Sequence, residues 1–210
     1  VLVHTFIAVL TATLAAIAGG LAGASSAQAS ETDSTYAVSG CPARTTSPML
    51  SRFGDPNEYF PVPNGGFNRW GAGWNGMFSL ALENEPWHVN REALTGSLRL
   101  WPGDSARTAE LCVGEGEDSF RFFYKGTGQL GSRLLVRTTV RSDTGTYTYG
   151  TTVDTSRTGW QLSPVVSVPN HATTKVQQTS IAFVNATPFD SVRTVLVDDV
   201  LIDPWRSRSG

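Results

Sequence analysis

Histidine and lysine are nearly missing from this chain. Lysine occurs only at Lys125 and Lys175, and beyond an apolar leader only His88 and His171 could serve as bases, both in turn-like surroundings that suit surface residues. Helical periodicity is missing as well. No segment after the leader sustains three turns of it, and alanine is sparse there while Thr, Val, Ser and Gly dominate. That balance excludes a helix-built fold and favours strands. A Gly-rich phosphate loop, zinc-ligand spacing and a dinucleotide fingerprint are all absent, which removes the nucleotide and zinc chemistries that depend on them. Charge of one sign is not in excess either. The net charge is −2 and the pI near 5.9, so no sequence-wide attraction to nucleic acid or anionic membrane is expected. Cysteine is limited to Cys41 and Cys112.

Long apolar runs are confined to residues 6–23, FIAVLTATLAAIAGGLAG, followed by Ala27-Gln28-Ala29 with small residues at the −3 and −1 positions. This reads as a secretory signal peptide over 1–29 with cleavage after Ala29, although the segment before the run has His4 and no Lys or Arg. The rival reading, a retained membrane anchor, is weakened by the small residues crowding the end of the run. Residues 30–40 form a polar linker, 41–205 one domain and 206–210 a short tail. After cleavage no membrane contact is expected, and the domain is expected to be a monomer. In an exported chain the two cysteines read as a disulfide. It would close a loop of roughly 70 residues, worth about 4 kcal/mol on a chain-entropy argument. Two free thiols, or a metal held by two distant cysteines, are the alternatives.

Five prolines between 41 and 64 exclude a helix and a central strand, leaving an extended arm anchored by Cys41, Phe53, Tyr59 and Phe60. Short strands punctuated by turns follow. The candidates are 66–70, 77–82, 87–89, 97–101, 107–113, 119–125, 133–141, 147–153, 160–168, 175–184 and 193–202. This spacing predicts an all-β fold, a two-sheet antiparallel β-sandwich of the jelly-roll type. Alternation assigns faces. Phe120, Phe122 and Tyr124 share one side of their strand and Arg121 and Phe123 the other. Leu134, Val136, Thr138 and Val140 form a core row opposite Leu135, Arg137, Thr139 and Arg141. Leu98 and Leu100 point inward, Arg99 and Trp101 outward. An outer sheet face mixing arginine with aromatic rings results, and it reads either as a recognition surface or as an ordinary solvated face.

The run RTVLVDDVLIDPW at 193–205 is the closing core strand, with two carboxylates at its centre. Buried carboxylates are costly unless paired, so one aspartate is expected to meet a cation or a hydrogen-bond network. Asn64-Gly65-Gly66-Phe67-Asn68, Trp70 and Trp74, then Ser97-Leu98-Arg99-Leu100, Gly159-Trp160 and Leu196-Val197-Asp198-Asp199-Val200 occur in an order that resembles the galactose-binding-like jelly-roll domains. These occur as carbohydrate-binding modules of secreted glycan-degrading enzymes, and the chain also resembles small secreted actinobacterial proteins of unknown function. The resemblance covers about 64–202 and implies a glycan-binding, non-catalytic module. It further implies a structural calcium with Asp198 as ligand, helped by carbonyls near Phe67. The acidic residue expected after Gly-Phe is here Asn68, a neutral ligand. Alternatively, Asp198 and Asp199 cap amides or pair with Arg193.

Catalytic readings fare worse. Gly103-Asp104-Ser105 is similar to the nucleophile motif of lipolytic Gly-Asp-Ser hydrolases. The late segment Asp203-Pro204-Trp205-Arg206, however, has arginine where the base would stand, so residues 102–105 read as a β-turn. Glu83 with Glu85, or Glu115, Glu117 and Asp118, could supply a carboxylate pair for glycoside hydrolysis, but acidic loops are ordinarily solvated. What remains is binding: rings that stack on sugar C–H faces beside bidentate polar groups. Asn84, Glu85, Trp87, Trp101, Arg121 and Arg137 are the candidate glycan ligands, with Trp160 and Trp205 assigned to the core. An extracellular protein partner is the second reading, a hydrolase the third.

Overall fold

The computed structural model describes residues 34–36, 40–90, 96–188 and 193–204. The expected leader, most of the linker, Trp205 and the tail 206–210 lie outside the described residues. The strands are β1 (Ser34–Tyr36), β2 (Arg44–Thr46), β3 (Phe60–Pro61), β4 (Trp74–Met77), β5 (Ser79–Ala81), β6 (Ser97–Leu100), β7 (Ser105–Thr108), β8 (Leu111–Gly114), β9 (Ser119–Lys125), β10 (Arg133–Ser142), β11 (Gly145–Asp154), β12 (Trp160–Leu162), β13 (Val166–Ser167), β14 (Val176–Asn185) and β15 (Val195–Asp203). The one helical turn among the described residues is a 3-10 turn at Ser51–Phe53.

Two antiparallel sheets make the sandwich. The first has the order β11-β10-β14-β7-β4, with β8 also on β14. The second has the order β12-β9-β15-β6-β5, with β13 on β9 and β3 on β15. The alternation read in the sequence holds: Leu134, Val136, Thr138 and Val140 are buried on β10 and their neighbours turn outward. Phe122 of the second sheet meets Phe183 of the first at 4.8 Å between ring centres, and Trp74 stacks on Phe183 at 6.0 Å. Large rings thus span the gap between the sheets.

β15 is buried along its whole length. Val195 and Val197 face the main core, and so do Val200 and Ile202. The parity changes because a bulge lies between Asp198 and Leu201, where Asp199 adopts a φ of 41°. The extra residue flips the faces, and both carboxylates fall at the bulge rather than within regular strand. The other side of β15 is covered by the proline-rich arm, where Leu50, Tyr59, Val89, Phe123 and Leu201 form a second apolar cluster.

The arm is tied down as the cysteines suggested. Cys41 is bonded to Cys112 of β8, with Cα atoms 5.6 Å apart. Arg44 donates to the Cys112 carbonyl at 2.6 Å and lies over the Phe60 ring at 4.8 Å. At the other end Asp55 accepts from the Tyr59 hydroxyl at 2.6 Å and from Arg121 at 2.9 Å. Part of the expected linker is ordered, since β1 pairs with β2.

Several expected strands differ. Residues 66–70 form turns, because Phe67 and Trp70 hold φ of 55° and 51°, which no strand accommodates. The run 77–82 is divided at Phe78, where the chain leaves β4 in one sheet for β5 in the other. Residues 87–89 lie in turns, with His88 at a φ of 50°. The runs 107–113 and 160–168 each break into two strands.

Candidate functional site

The six candidate ligands do not share a surface. Arg121 and Arg137 lie on strands of different sheets, so the outer row that alternation suggested is two opposite faces. Arg121 is occupied under the arm: Nε and Nη2 donate to the Ser163 carbonyl at 3.0 and 2.8 Å, and Nη1 meets Asp55. The segment 84–88 folds on itself. Glu85 is fully buried, its carboxylate accepting from the amides of Trp87 at 2.5 Å and Val89 at 2.6 Å. It therefore faces inward and cannot reach a surface ligand. Asn84 is paired with the His88 ring at 2.9 Å. Trp87 packs edge-on against Phe53 at 5.0 Å and against Phe123 at 5.3 Å, which makes it a wall of the second cluster rather than a platform.

Trp101 is different: it is 46% exposed. The turn that follows holds it in place. Asp104 donates its amide to the Trp101 carbonyl at 2.8 Å and accepts from the Trp101 amide at 3.0 Å. Pro102 and Gly103, at a φ of 86°, take the central positions, as a type II turn requires. The residues once suggestive of a hydrolase motif therefore build a turn, and Ser105 opens β7.

Register places Trp160, Lys125, Leu196, Arg99 and Ser79 in one row across five strands of the second sheet. Beside Trp101 this row opens as a recess of about 240 Å³, lined by Glu83, Arg99, Trp101, Lys125, Thr194 and Leu196 with Gly126. Gly126 is required there: a Cβ would lie 2.1 Å from the Arg157 carbonyl oxygen and 2.5 Å from that of Thr155. Glu83 accepts from Lys125 and, at 3.1 Å, from the indole of Trp160. The Lys125 hydrogen bond, the Trp160 hydrogen bond and the Lys125 and Arg99 charges outweigh desolvation and hold the Glu83 carboxyl below its ordinary range. Arg99 has no hydrogen bond or ion pair among the described residues. The recess therefore offers a ring, a fixed carboxylate, an ammonium and an open guanidinium. Arg99 was legible as an outward neighbour of Trp101. Glu83 was read only as a possible catalytic carboxylate and Lys125 not at all, because strand register brings them in from distant sequence.

A second cluster lies behind the Glu85 loop. Asp198 accepts from the amides of Glu85 and Asp199, both at 2.9 Å, so its carboxylate is engaged. Asp199 Oδ1, Asn90 Nδ2 and Asn68 Nδ2 converge over Gly66, within 2.8, 3.1 and 3.2 Å of where its Cβ would be. Burial, and then the carboxylate charge of Asp199, push Asp198 far up. Burial and then Glu85 do the same to Asp199. No basic group figures among the influences on either aspartate, and Asn68 Oδ1 is buried without a partner. No three acidic, His or Cys side chains form a metal-binding group among the described residues, so a donor set here must include amide and backbone oxygens. Both carboxylates are hydrogen-bonded, Asp198 by the amides of Glu85 and Asp199 and Asp199 by Asn90, and the orphaned Asn68 Oδ1 beside them is a hard oxygen of the kind that divalent cations take. Asp199 Oδ1 and Asn68 Nδ2 lie on the same side of Gly66, while Asp198, the expected ligand, has both oxygens on backbone amides.

No protein-family model matches the sequence, and no curated protein matches it. Solved structures do show similarity of fold. One is TmCBM61 in complex with β-1,4-galactotriose, at 16% identity over 68% of this chain and 97% of that one, with a TM-score of 0.42. Another is the C-terminal family 22 carbohydrate-binding module of Clostridium thermocellum Xyn10B, at 12% identity over 70% and 99%, with a TM-score of 0.43. A third is arabinose-bound MgGH51 α-L-arabinofuranosidase, at 14% identity over 69% and 26%, with a TM-score of 0.48. This chain spans 21% of the matched tailspike protein 4 of bacteriophage CBA120 and 26% of the arabinofuranosidase. These likenesses concern the fold; what the chain binds has to be argued from its own residues.

Proposed function

We propose that this protein is an exported, non-catalytic glycan-binding module and that the Trp101 recess is its site. The observation carrying this is the half-exposed Trp101 ring, pinned by its turn beside Arg99, Lys125 and Glu83. The ring stacks on the C–H face of a sugar while the charged groups accept from and donate to its hydroxyls. Export is supported by the apolar leader in the sequence and by the Cys41–Cys112 bond. No helix among the described residues is long and apolar enough to cross a membrane.

The non-catalytic reading is supported by where the polar groups are spent. Glu83 and Glu85 face different surroundings, and Glu117 accepts from the Gly114 amide at 2.9 Å with Arg44 at 3.4 Å. In this reading a structural calcium ion, with Asp198 and Asn68 as its expected ligands, would neutralise charge at the bulge and fix the turn 64–68 against β15. Native electrophoresis in gels carrying neutral polysaccharides tests the function. A β-glucan, xylan or galactan is expected to retard the wild type, and Trp101→Ala to run freely. Free migration of the wild type in every gel overturns the reading.

A protein partner is favoured by one feature. Trp70 is 79% and Leu82 81% exposed, and with Phe67 and Leu80 they line an apolar recess of about 250 Å³. Trp70→Ser leaving polysaccharide retardation intact would separate that surface from the Trp101 recess.

A further inference from the structure

The outer face of the first sheet has a chemistry that the Trp101 recess does not use. Register aligns Asn75, Arg107, Ala182, Arg137 and Gly150 across β4, β7, β14, β10 and β11. All except Ala182 are exposed, and Ala182 is partly so. Arg107 and Arg137 flank Ala182 from adjacent strands, which sets their Cα atoms about 10 Å apart. Between them stands only a methyl group, and beyond Arg137 is Gly150, with Leu135 Cδ1 3.7 Å from where a Cβ would lie. The floor between the two arginines is therefore open.

Both guanidinium groups are available. Arg107 donates Nε to Ser180 Oγ at 2.9 Å, which orients the group and leaves both Nη nitrogens without a partner among the described residues. Arg137 has no hydrogen bond or ion pair among the described residues. The acids of this face stand at its ends, Glu110 in an ion pair with Arg141 and Asp154 opposite Arg133. One row beside the arginines carries hydroxyls, Thr148, Thr139 and Ser180, and the row on the other side runs Thr152, Leu135, Val184, Ser105 and Met77.

We propose that this face binds an anionic polysaccharide, with Arg107 and Arg137 each gripping an oxyanion, carboxylate or sulfate ester, of one glycan chain. A guanidinium fork matches such an oxyanion with two parallel hydrogen bonds. The threonine and serine hydroxyls both donate and accept, as sugar hydroxyls do. Strands of ten residues make the face about 30 Å long, enough for several sugar units. Among the described residues it has no aromatic ring on which nucleic-acid bases could stack, and its apolar side chains, Leu135, Val184 and Met77, are confined to one row beside the arginines. Lying on the opposite sheet from Trp101, this site stands or falls separately from the neutral-glycan reading.

The test is titration of the exported chain with polygalacturonate, dextran sulfate, neutral β-1,4-galactan and single-stranded DNA. Wild type is expected to bind polygalacturonate or dextran sulfate, more weakly as salt rises, and the tighter of the two identifies carboxylate or sulfate as the anion. R107Q/R137Q is expected to lose at least tenfold in affinity and Trp101→Ala to lose none. Because Arg107 contacts Ser180, Arg137→Gln alone is the fold-neutral variant: several-fold weaker binding with an unchanged melting midpoint. Absence of binding to both polyanions, full affinity in the double variant, or DNA bound as tightly as the polysaccharides overturns the proposal.

Discussion

Two tryptophans with similar sequence surroundings have different physical roles. Trp87 sits among Phe53 and Phe123, so its ring holds the arm-side cluster together. Trp101 is fixed by its backbone and leaves its ring in water. Trp87→Ala is therefore expected to cost about 2–3 kcal/mol, less than a fully buried ring would, with glycan affinity retained at temperatures where it remains folded. Trp101→Ala is expected to leave the melting midpoint in place and to cost about 1.5 kcal/mol of binding, roughly tenfold. Calorimetric melts with parallel binding titrations distinguish the two, and an exchange of phenotypes would reverse the assignment. Asp55 supplies the pH dependence. Burial opposes its ionisation, but the Tyr59 hydroxyl, the Asn57 amide and Arg121 outweigh burial and hold its carboxyl below the ordinary value of 3.8. A lowered folded pKa gives stability that is complete above the unfolded value and is lost as pH falls through the folded one. Wild type is thus expected to lose stability relative to Asp55→Asn as pH drops below about 4. Near neutrality the variant should be less stable by about 1 kcal/mol, a figure reduced for partial exposure. Parallel acid-titration curves for the two proteins would contradict this.

Among the elements, β9 and β10 were legible because alternation marks a core row on each, and β14 and β15 because their runs are apolar and β-branched. The turn 101–104 was legible from Pro-Gly-Asp. The division of 77–82 between two sheets was not, since Phe78 carries no breaker residue and only tertiary packing separates β4 from β5. The exchange of faces along β15 was hidden for a related reason: a bulge adds a residue without a composition signal, and here the positive φ falls on an aspartate instead of a glycine. The candidate site was legible only at Trp101 and Arg99. Arg121 and Arg137 stand on opposite faces of the sandwich, which was not legible because alternation gives a side of a strand and not the sheet to which it belongs. The arm is an element whose attachment can be cut. Replacing Cys41 and Cys112 with serine is expected to cost about 4 kcal/mol, lowering the melting midpoint by roughly 8–16 °C. A shift of a degree or two would mean that the Asp55 and Arg44 contacts suffice.

For the molecule as a whole, the sandwich is closed on one side by the arm and open on the other, and the carboxylate cluster at the β15 bulge lies behind the closed side. Cation binding there is linked to the fold, so chelation is expected to lower the melting midpoint and added calcium to restore it, in proportion to the logarithm of free ion. An unchanged midpoint would assign Asp198 and Asp199 to amide capping alone. The most direct test of the central claim is the set of tryptophan indole N–H signals in a ¹⁵N-labelled protein titrated with neutral oligosaccharides. The Trp101 indole is predicted to shift with saturable dependence on ligand while that of Trp87 stays still. A Trp101 signal that no oligosaccharide moves, or a response confined to Trp70, would contradict the account.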